Sequence, residues 1–290
     1  MSAVLQTPTR GIAEVIAMPW HAFGADSGAW TLHPARQPQA LAAFDPFVMV
    51  DHFVMPDAVF APHPHAGFSA VTYLFEDSAG GVRNRDSFGT ANDILPGALH
   101  WTQAGCGIVH EELPLQPGRA AHGLQIFVNS ARVNKTVPPA AFHVAAQAVP
   151  VVREPGGAVV RVVLGAHGDA ESRIGAHTPV TLLDITLPPG GRITLPLPRS
   201  QQAFAVLVRG GLAGVAAAGP HALRFDAAGD AVAFAAGTDG AQLVLLAGEP
   251  LREPVFTHGP FIGNDAADVA AMIRRYQDGQ MGALAPTVPA

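Results

Sequence analysis

A chain of 290 residues with 49% apolar and 14% charged residues is long enough for two hydrophobic cores of roughly 130 to 150 residues each. A formal charge of −6 with only 17 Lys and Arg, spread along the chain, argues against a groove that tracks nucleic-acid phosphates. No window reaches the ~20 uninterrupted apolar residues of a membrane-spanning helix. Cys106 is the one cysteine, which excludes an internal disulfide, and Met1 to Met18 lacks the basic and apolar regions of a secretion signal, so the cytoplasm is the expected location.

The 31 Gly and 26 Pro punctuate short apolar runs rich in Val, Leu, Phe and Thr, the pattern of a many-stranded β protein. From Phe47 to Val128, runs such as Ala70 to Phe75 and Leu124 to Val128 alternate with turn clusters at Asp77 to Gly81, Gly89 to Asp93, Pro96-Gly97 and Gly105 to Gly107. That spacing predicts an antiparallel barrel or sandwich. Asn129 to Pro139 loses the periodicity and ends in Val137-Pro138-Pro139, a connection between domains. Strand-like runs resume at Val159 to Leu164, Val180 to Leu187, Ala203 to Val208 and Gln242 to Leu246. The expected division is a domain over 1–137 and a second over 138–290. Asn264 or Asp265 caps a final helix at about 265–278 with Val269, Met272, Ile273 and Tyr276 on one face and Gly279 as its stop. Met281 to Ala290 reads as a loose tail.

A short internal repeat links the halves. Pro62-His63-Pro64-His65 followed by Val71 to Phe75 has a counterpart in Leu195-Pro196-Leu197-Pro198 followed by Phe204 to Val208. Two leucines stand where the first half has two histidines, so a duplicated chain would keep one polar interior and pack the other.

In a strand, residues i and i+2 share a face, so His63 and His65 project together, and His110 and Glu112 repeat that geometry. Placed on facing strands, the two pairs supply three imidazoles and a carboxylate, a set suited to Fe(II), Mn(II), Co, Ni, Cu or Zn with two positions left open on an octahedral ion. A lone His-x-His pair is more often a surface or core pair than a metal site; the His-x-Glu pair about one circuit later tips the balance. Pro64 suits an edge segment whose N–H is not needed. His100 is an alternative ligand, with a supporting or structural role favoured. Glu111 points away if Glu112 points in. Cys106 is a candidate redox thiol, more simply a small residue in a tight turn. Asp51 and His52 either orient the site or form a hydrogen-bonded core pair. His167, His177 and His221 lack partners at ligand spacing.

Several segments together resemble the pirin family of bicupins: Phe44-Asp45-Pro46-Phe47, His63-Pro64-His65-Ala66-Gly67-Phe68, Val71-Thr72-Tyr73-Leu74, Arg85-Asp86-Ser87, Trp101 to Glu112, His122-Gly123-Leu124-Gln125, Gly248 to Val255 and His258-Gly259-Pro260-Phe261. The likeness runs from about Phe44 to about Gly279. It implies two antiparallel β-barrel (jelly-roll) domains with a short C-terminal helix. It also implies one transition-metal ion per chain, Fe(II) first among those above, held by His63, His65, His110 and Glu112 in the N-terminal cupin, and a C-terminal cupin without metal. The family pattern usually has Arg and Glu where this chain has Ala66 and Ser69, His at Asn84, Gln at His100 and commonly Arg at Cys106. None of these departures removes a ligand.

The resemblance implies a metal-dependent dioxygenase that opens flavonols such as quercetin with O2 and releases CO, with Glu112 as the base that takes the 3-hydroxyl proton. The expected partners are a small aromatic substrate and O2, with neither nucleic acid nor membrane. Its alternative is a metal- or redox-sensing regulator that binds a protein partner without turnover. A third reading, turnover of another small hydroxy or keto compound, is separated by the pocket, since a flavonol needs a largely apolar cavity of at least about 300 Å³.

Overall fold

The computed structural model describes residues 8–24, 26–36, 38–57, 60–216, 219–285 and 287. They form two compact units that interleave along the chain. One comprises Pro19–Val149, Gly175–Thr178 and Leu251–Ala290, the other Met1–Met18, Pro150–Ile174 and Pro179–Pro250.

The first unit is a cupin of two antiparallel sheets. Its seven-stranded sheet runs in the order Ala140–Val144, Leu99–Gln103, Phe68–Leu74, Ala121–Asn129, Phe47–Met55, Gly28–Leu32, Trp20–Ala22, and its four-stranded sheet in the order Phe60–His65, Ile108–Pro114, Val82–Asp86, Ala91–Ile94. Among the described residues neither hydrogen-bonded path closes on itself, so the expected barrel is an open jelly roll. Pro62 and Pro64 lie in the strand that ends the smaller sheet; a proline has no N–H to offer a further strand, which suits this position at an edge. Phe68–Leu74, central in the larger sheet, is buried at every position, which is why its sequence is an almost unbroken apolar run.

The C-terminal helix, Ala266–Gln277, belongs to this same unit although it comes last in the sequence. Asp265 caps it by accepting from the Asp268 N–H at 2.9 Å, and Gly279 leaves it at φ 72°, the left-handed stop that glycine adopts without strain. Val269 and Met272 of its apolar stripe pack on Ala66, Val109 and Phe261. The segment after it is no loose tail: Met281 is fully buried, its carbonyl accepts from Ser87 Oγ at 2.7 Å, and Ala285 accepts from Arg85 at 3.0 Å. Residues 286 and 288–290 of that predicted tail lie outside the described residues.

Two buried polar groups tie this unit together. Lys135 Nζ donates to Gly67 O at 2.7 Å, Asn129 Oδ1 at 2.6 Å and Ile262 O at 3.2 Å, using its three protons on three acceptors. Burial pulls this ammonium down to about 8, against the opposing pull of Glu253 and Asp268. His52, behind the Phe47–Met55 strand, meets His122 Nε2 to Nε2 at 2.7 Å among Trp30 and Phe75. Burial first and the neighbouring His122 second push His52 down to about 3.

The second unit is also built of antiparallel strands, in the order Ile12–Ala17, His221–Phe225, Gln202–Leu212, Ala231–Gly248, Val180–Leu187, Val159–His167, Val151–Arg153. Its interior is an apolar cluster that includes Val160, Leu183, Ile185, Phe234, Leu243 and Leu245. Leu195 and Leu197 are buried within it while Pro196 and Pro198 are exposed. The leucine pair therefore points where the repeat predicts, into a packed core.

Replacing Lys135 by Met should destabilise the protein by about 3 kcal/mol, because three buried acceptors lose a charged donor; urea unfolding measures it. His52 makes a second prediction. Its native pKa lies below its unfolded one, so below pH 6.5 the unfolded chain binds the extra proton. Stability is then complete above that pH and falls by about 1.4 kcal/mol per unit on acidification towards pH 3. His52→Phe should flatten that part of the stability profile.

Candidate metal centre

His63 and His65 sit two residues apart on the edge strand, and the strand Ile108–Pro114 pairs with it antiparallel, setting His110 opposite His63. The two predicted pairs thus lie on neighbouring strands of one sheet rather than on facing ones. One ring nitrogen from each of His63, His65 and His110 falls within 4.8 Å of the other two, the one such group of three ligating side chains found among the described residues.

Hydrogen bonds at the far side of two rings set their tautomers. Ala61 O lies 2.8 Å from His63 Nδ1, and Asn84 Oδ1 lies 2.9 Å from His110 Nδ1. Each oxygen accepts, so each Nδ1 carries the proton and each Nε2 turns a lone pair inward. His63 Nε2 and His65 Nε2 stand 3.1 Å apart, and His110 Nε2 is buried with no hydrogen-bond partner. Burial lowers the pKa of all three, most strongly for His65 and His110, which the neighbouring imidazoles depress further. Converging neutral imidazoles with an orphaned inward nitrogen fit a transition-metal ion. Asn84, noted in the sequence only as a departure, is the residue that orients His110; it stands opposite Glu112 in the neighbouring strand, a register that the sequence does not display.

Glu112 lies outside this nitrogen group but lines the same cavity. The pairing with the edge strand slips between His110 and Glu112, so that Glu112 stands opposite Phe60, while the pairing with Val82–Asp86 stays regular through both residues. Its Oε1 meets Thr72 Oγ1 of the opposite sheet at 2.7 Å, and Thr72 also meets Gln125 Oε1 at 2.9 Å. One hydroxyl proton cannot serve both oxygens. A protonated Glu112 donates to Thr72, which donates to Gln125; an ionised Glu112 accepts from Thr72, which then accepts a hydrogen bond from the turned amide of Gln125. Complete burial pushes the Glu112 carboxyl up to about 7, outweighing the opposing Thr72 hydrogen bond.

The cavity over these groups has a volume of about 180 Å³. Phe23, Phe53, Phe60, Phe127 and Met49 give it an apolar wall, and Asp51, Gln125 and Glu112 give it polar points. It is smaller than the roughly 300 Å³ set out for a whole flavonol. Phe23, Met49 and Gln125 are lining residues that spacing arguments did not reach, because they come from three strands or turns distant in sequence.

The other candidates take separate places. Asp51 and His52 do not pair with each other: Asp51 binds His33 Nε2 at 3.0 Å, while His52 binds His122 behind the sheet. Glu111 points away from the cavity and accepts from Arg85 and Thr287. His100 is buried beside Thr72, with both ring nitrogens unpartnered, but it is not in the nitrogen group. Cys106 receives Arg275 hydrogen bonds at its carbonyl, 3.0 Å, and at its sulfur, 3.6 Å. His167 pairs with Glu154 at 2.6 Å, His177 offers its N–H to Gln103, and His221 binds Gly219 O.

Residues 30–128 match the family model for Pirin, and residues 182–282 match that for the Pirin C-terminal cupin domain. A Pseudomonas aeruginosa protein provisionally named quercetin 2,3-dioxygenase is 34% identical over 261 residues, covering 81% of this chain and 86% of its own length. The crystal structure of quercetin 2,3-dioxygenase from Acinetobacter baumannii has a fold similar to this chain's at a TM-score of 0.84 with 23% identity, covering 95% of this chain and 99% of that one. The bacterial pirin YhhW of Escherichia coli, solved in complex with nickel(II), is similar at a TM-score of 0.62 with 18% identity, covering 82% of this chain and 99% of that one.

Asn84→Leu removes the oxygen that holds His110 in its inward tautomer. It should lower affinity for Ni(II) or Fe(II) by about 10- to 100-fold, read by competition with a chromogenic chelator.

Proposed function

This chain belongs to the pirin family, and from that premise we propose that it is a metal-dependent dioxygenase acting on a hydroxylated aromatic compound. The observation that carries the reading is the convergence of His63, His65 and His110 at an apolar cavity that also holds the buried Glu112 carboxyl group. His63, His65 and His110 would hold one ion, with Glu112 completing the set; Fe(II) is the first candidate. When bound, the metal would acidify the substrate hydroxyl and bring substrate and O2 into reacting geometry.

The chain's own residues do the rest. Glu112, buried at the cavity and hydrogen-bonded to Thr72, takes the hydroxyl proton. Thr72 and Gln125 let that proton's hydrogen bonds reverse without moving a backbone. Phe23, Phe53, Phe60 and Phe127 keep bulk water from the reacting atoms and pack against an aromatic ring.

The relative provisionally named quercetin 2,3-dioxygenase makes a flavonol the first substrate to test. A cavity of about 180 Å³ takes the reacting part of a flavonol and leaves its remainder at the mouth. The same volume favours a second reading, a smaller hydroxylated aromatic held wholly inside. A cavity at the histidines is a feature that turnover needs and a regulator acting only through a protein surface does not.

Iron-loaded protein should consume O2 with quercetin or with a smaller phenol from a panel, and Glu112→Gln should lower kcat by about 100-fold or more. Metal analysis of the protein as isolated, together with O2 uptake by electrode, measures this. Absence of uptake across the panel with every loaded metal would falsify the proposal, and a protein partner retained in only one metal oxidation state would favour the regulator.

A further inference from the structure

Among the described residues, Asp51 is the one carboxylate on the cavity wall besides Glu112. It comes from the strand Phe47–Met55 of the seven-stranded sheet, whereas the three imidazoles come from the four-stranded sheet. Met49, Asp51 and Phe53, alternate residues of that strand, all line the cavity. Asp51 is thus a polar residue placed where period-two alternation calls for an inward apolar one.

Its orientation is fixed from behind. His33 Nε2 meets Oδ1 at 3.0 Å, and the two side chains are only 14% and 21% exposed. In register, Asp51 stands opposite Gln125, and Gln125 stands opposite Thr72. A polar row therefore crosses the floor of the larger sheet from Asp51 to the Thr72 hydroxyl that touches Glu112.

An ionised carboxylate only accepts hydrogen bonds. A ligand group reaching it must be a donor, and an anionic group there would meet a like charge. Resting on the reading of this site as one for hydroxylated aromatics, we propose that Asp51, positioned by His33, is a specificity-determining residue that reads a second hydrogen-bond donor on the substrate. The substrate class is then a planar compound with one hydroxyl presented to the histidines and another hydroxyl or N–H presented to Asp51. Compounds carrying a carboxylate at that second position are rejected.

The test separates this assignment from the oxygenase reading by measuring binding without oxygen. Metal-loaded protein is titrated anaerobically by calorimetry with quercetin and with 3-hydroxyflavone, which keeps the 3-hydroxyl and lacks the others. Wild-type protein should bind quercetin at least about tenfold more tightly, the effect expected of one hydrogen bond to a charged group. Asp51→Ala should bring the ratio towards one. Asp51→Asn, which keeps an acceptor and nearly the same shape, should retain part of it and serves if the Ala variant does not fold. A purely structural role for the Asp51 and His33 pair would lower the unfolding temperature and leave the ratio as in wild type, and that result overturns the proposal. So does equal wild-type affinity for the two ligands, or no binding of either. Discriminating binding with no O2 uptake in air would sink the oxygenase reading and leave the Asp51 assignment standing.

Discussion

Three imidazoles share one small volume because an edge strand and its antiparallel neighbour bring His63 opposite His110, with His65 two residues along the same face. His63 and His110 turn their Nε2 lone pairs inward, His65 Nε2 lies at hydrogen-bond distance from His63 Nε2, and protonation of the rings is opposed by burial. The peptide carbonyl of Ala61 and the amide of Asn84 prevent two of the rings from turning their N–H inward instead. A cation would satisfy these inward nitrogens, the unpartnered His110 Nε2 among them, and the second sheet, the helix and the C-terminal segment all support the strand pair that brings them together.

That support acts from both sides. On the outer side of Ile108–Pro114, Val109 packs on the helix stripe while Glu111 is held by Arg85 and Thr287. On the inner side, Glu112 reaches Thr72 of the larger sheet. Consecutive residues of one strand thus alternate between anchoring it and serving the cavity, as strand periodicity requires. Segments far apart in the chain meet here, so a change near residue 281 or 287 reaches the strand that bears His110.

Much of this was legible in the sequence. The two i, i+2 pairs gave the ligand candidates, alternating runs and turn clusters gave two β domains, and capping residues with a 3.6-residue stripe gave the helix, all of them local signals. What was not legible depends on register and on long-range packing. The register that sets Glu112 opposite Phe60 on one side and Asn84 on the other is marked by no local signal. Asn84 aligns with the site only across a strand pair, and Met281 reads as tail until it is seen against Gly107, where a Cβ would come within 2.4 Å of Met281 Cγ. The open sheets were equally hidden, although Pro64 pointed to an edge.

The departures from the family pattern at Ala66 and Ser69 have a physical logic of their own. Both positions are buried here, and Ala66 packs in the apolar cluster with Phe261, Val269 and Met272. A charged side chain at either buried position would need a counterpart at a cost of several kcal/mol, and Ala66 and Ser69 bring no charge. The neighbourhood of His65 is then held by packing, by the Lys135 ammonium on Gly67 O and by the helix, with no ion pair between these two positions. Within the cavity, Asp51 and Gln125 from the larger sheet and Glu112 from the smaller one are the polar side chains besides the histidines.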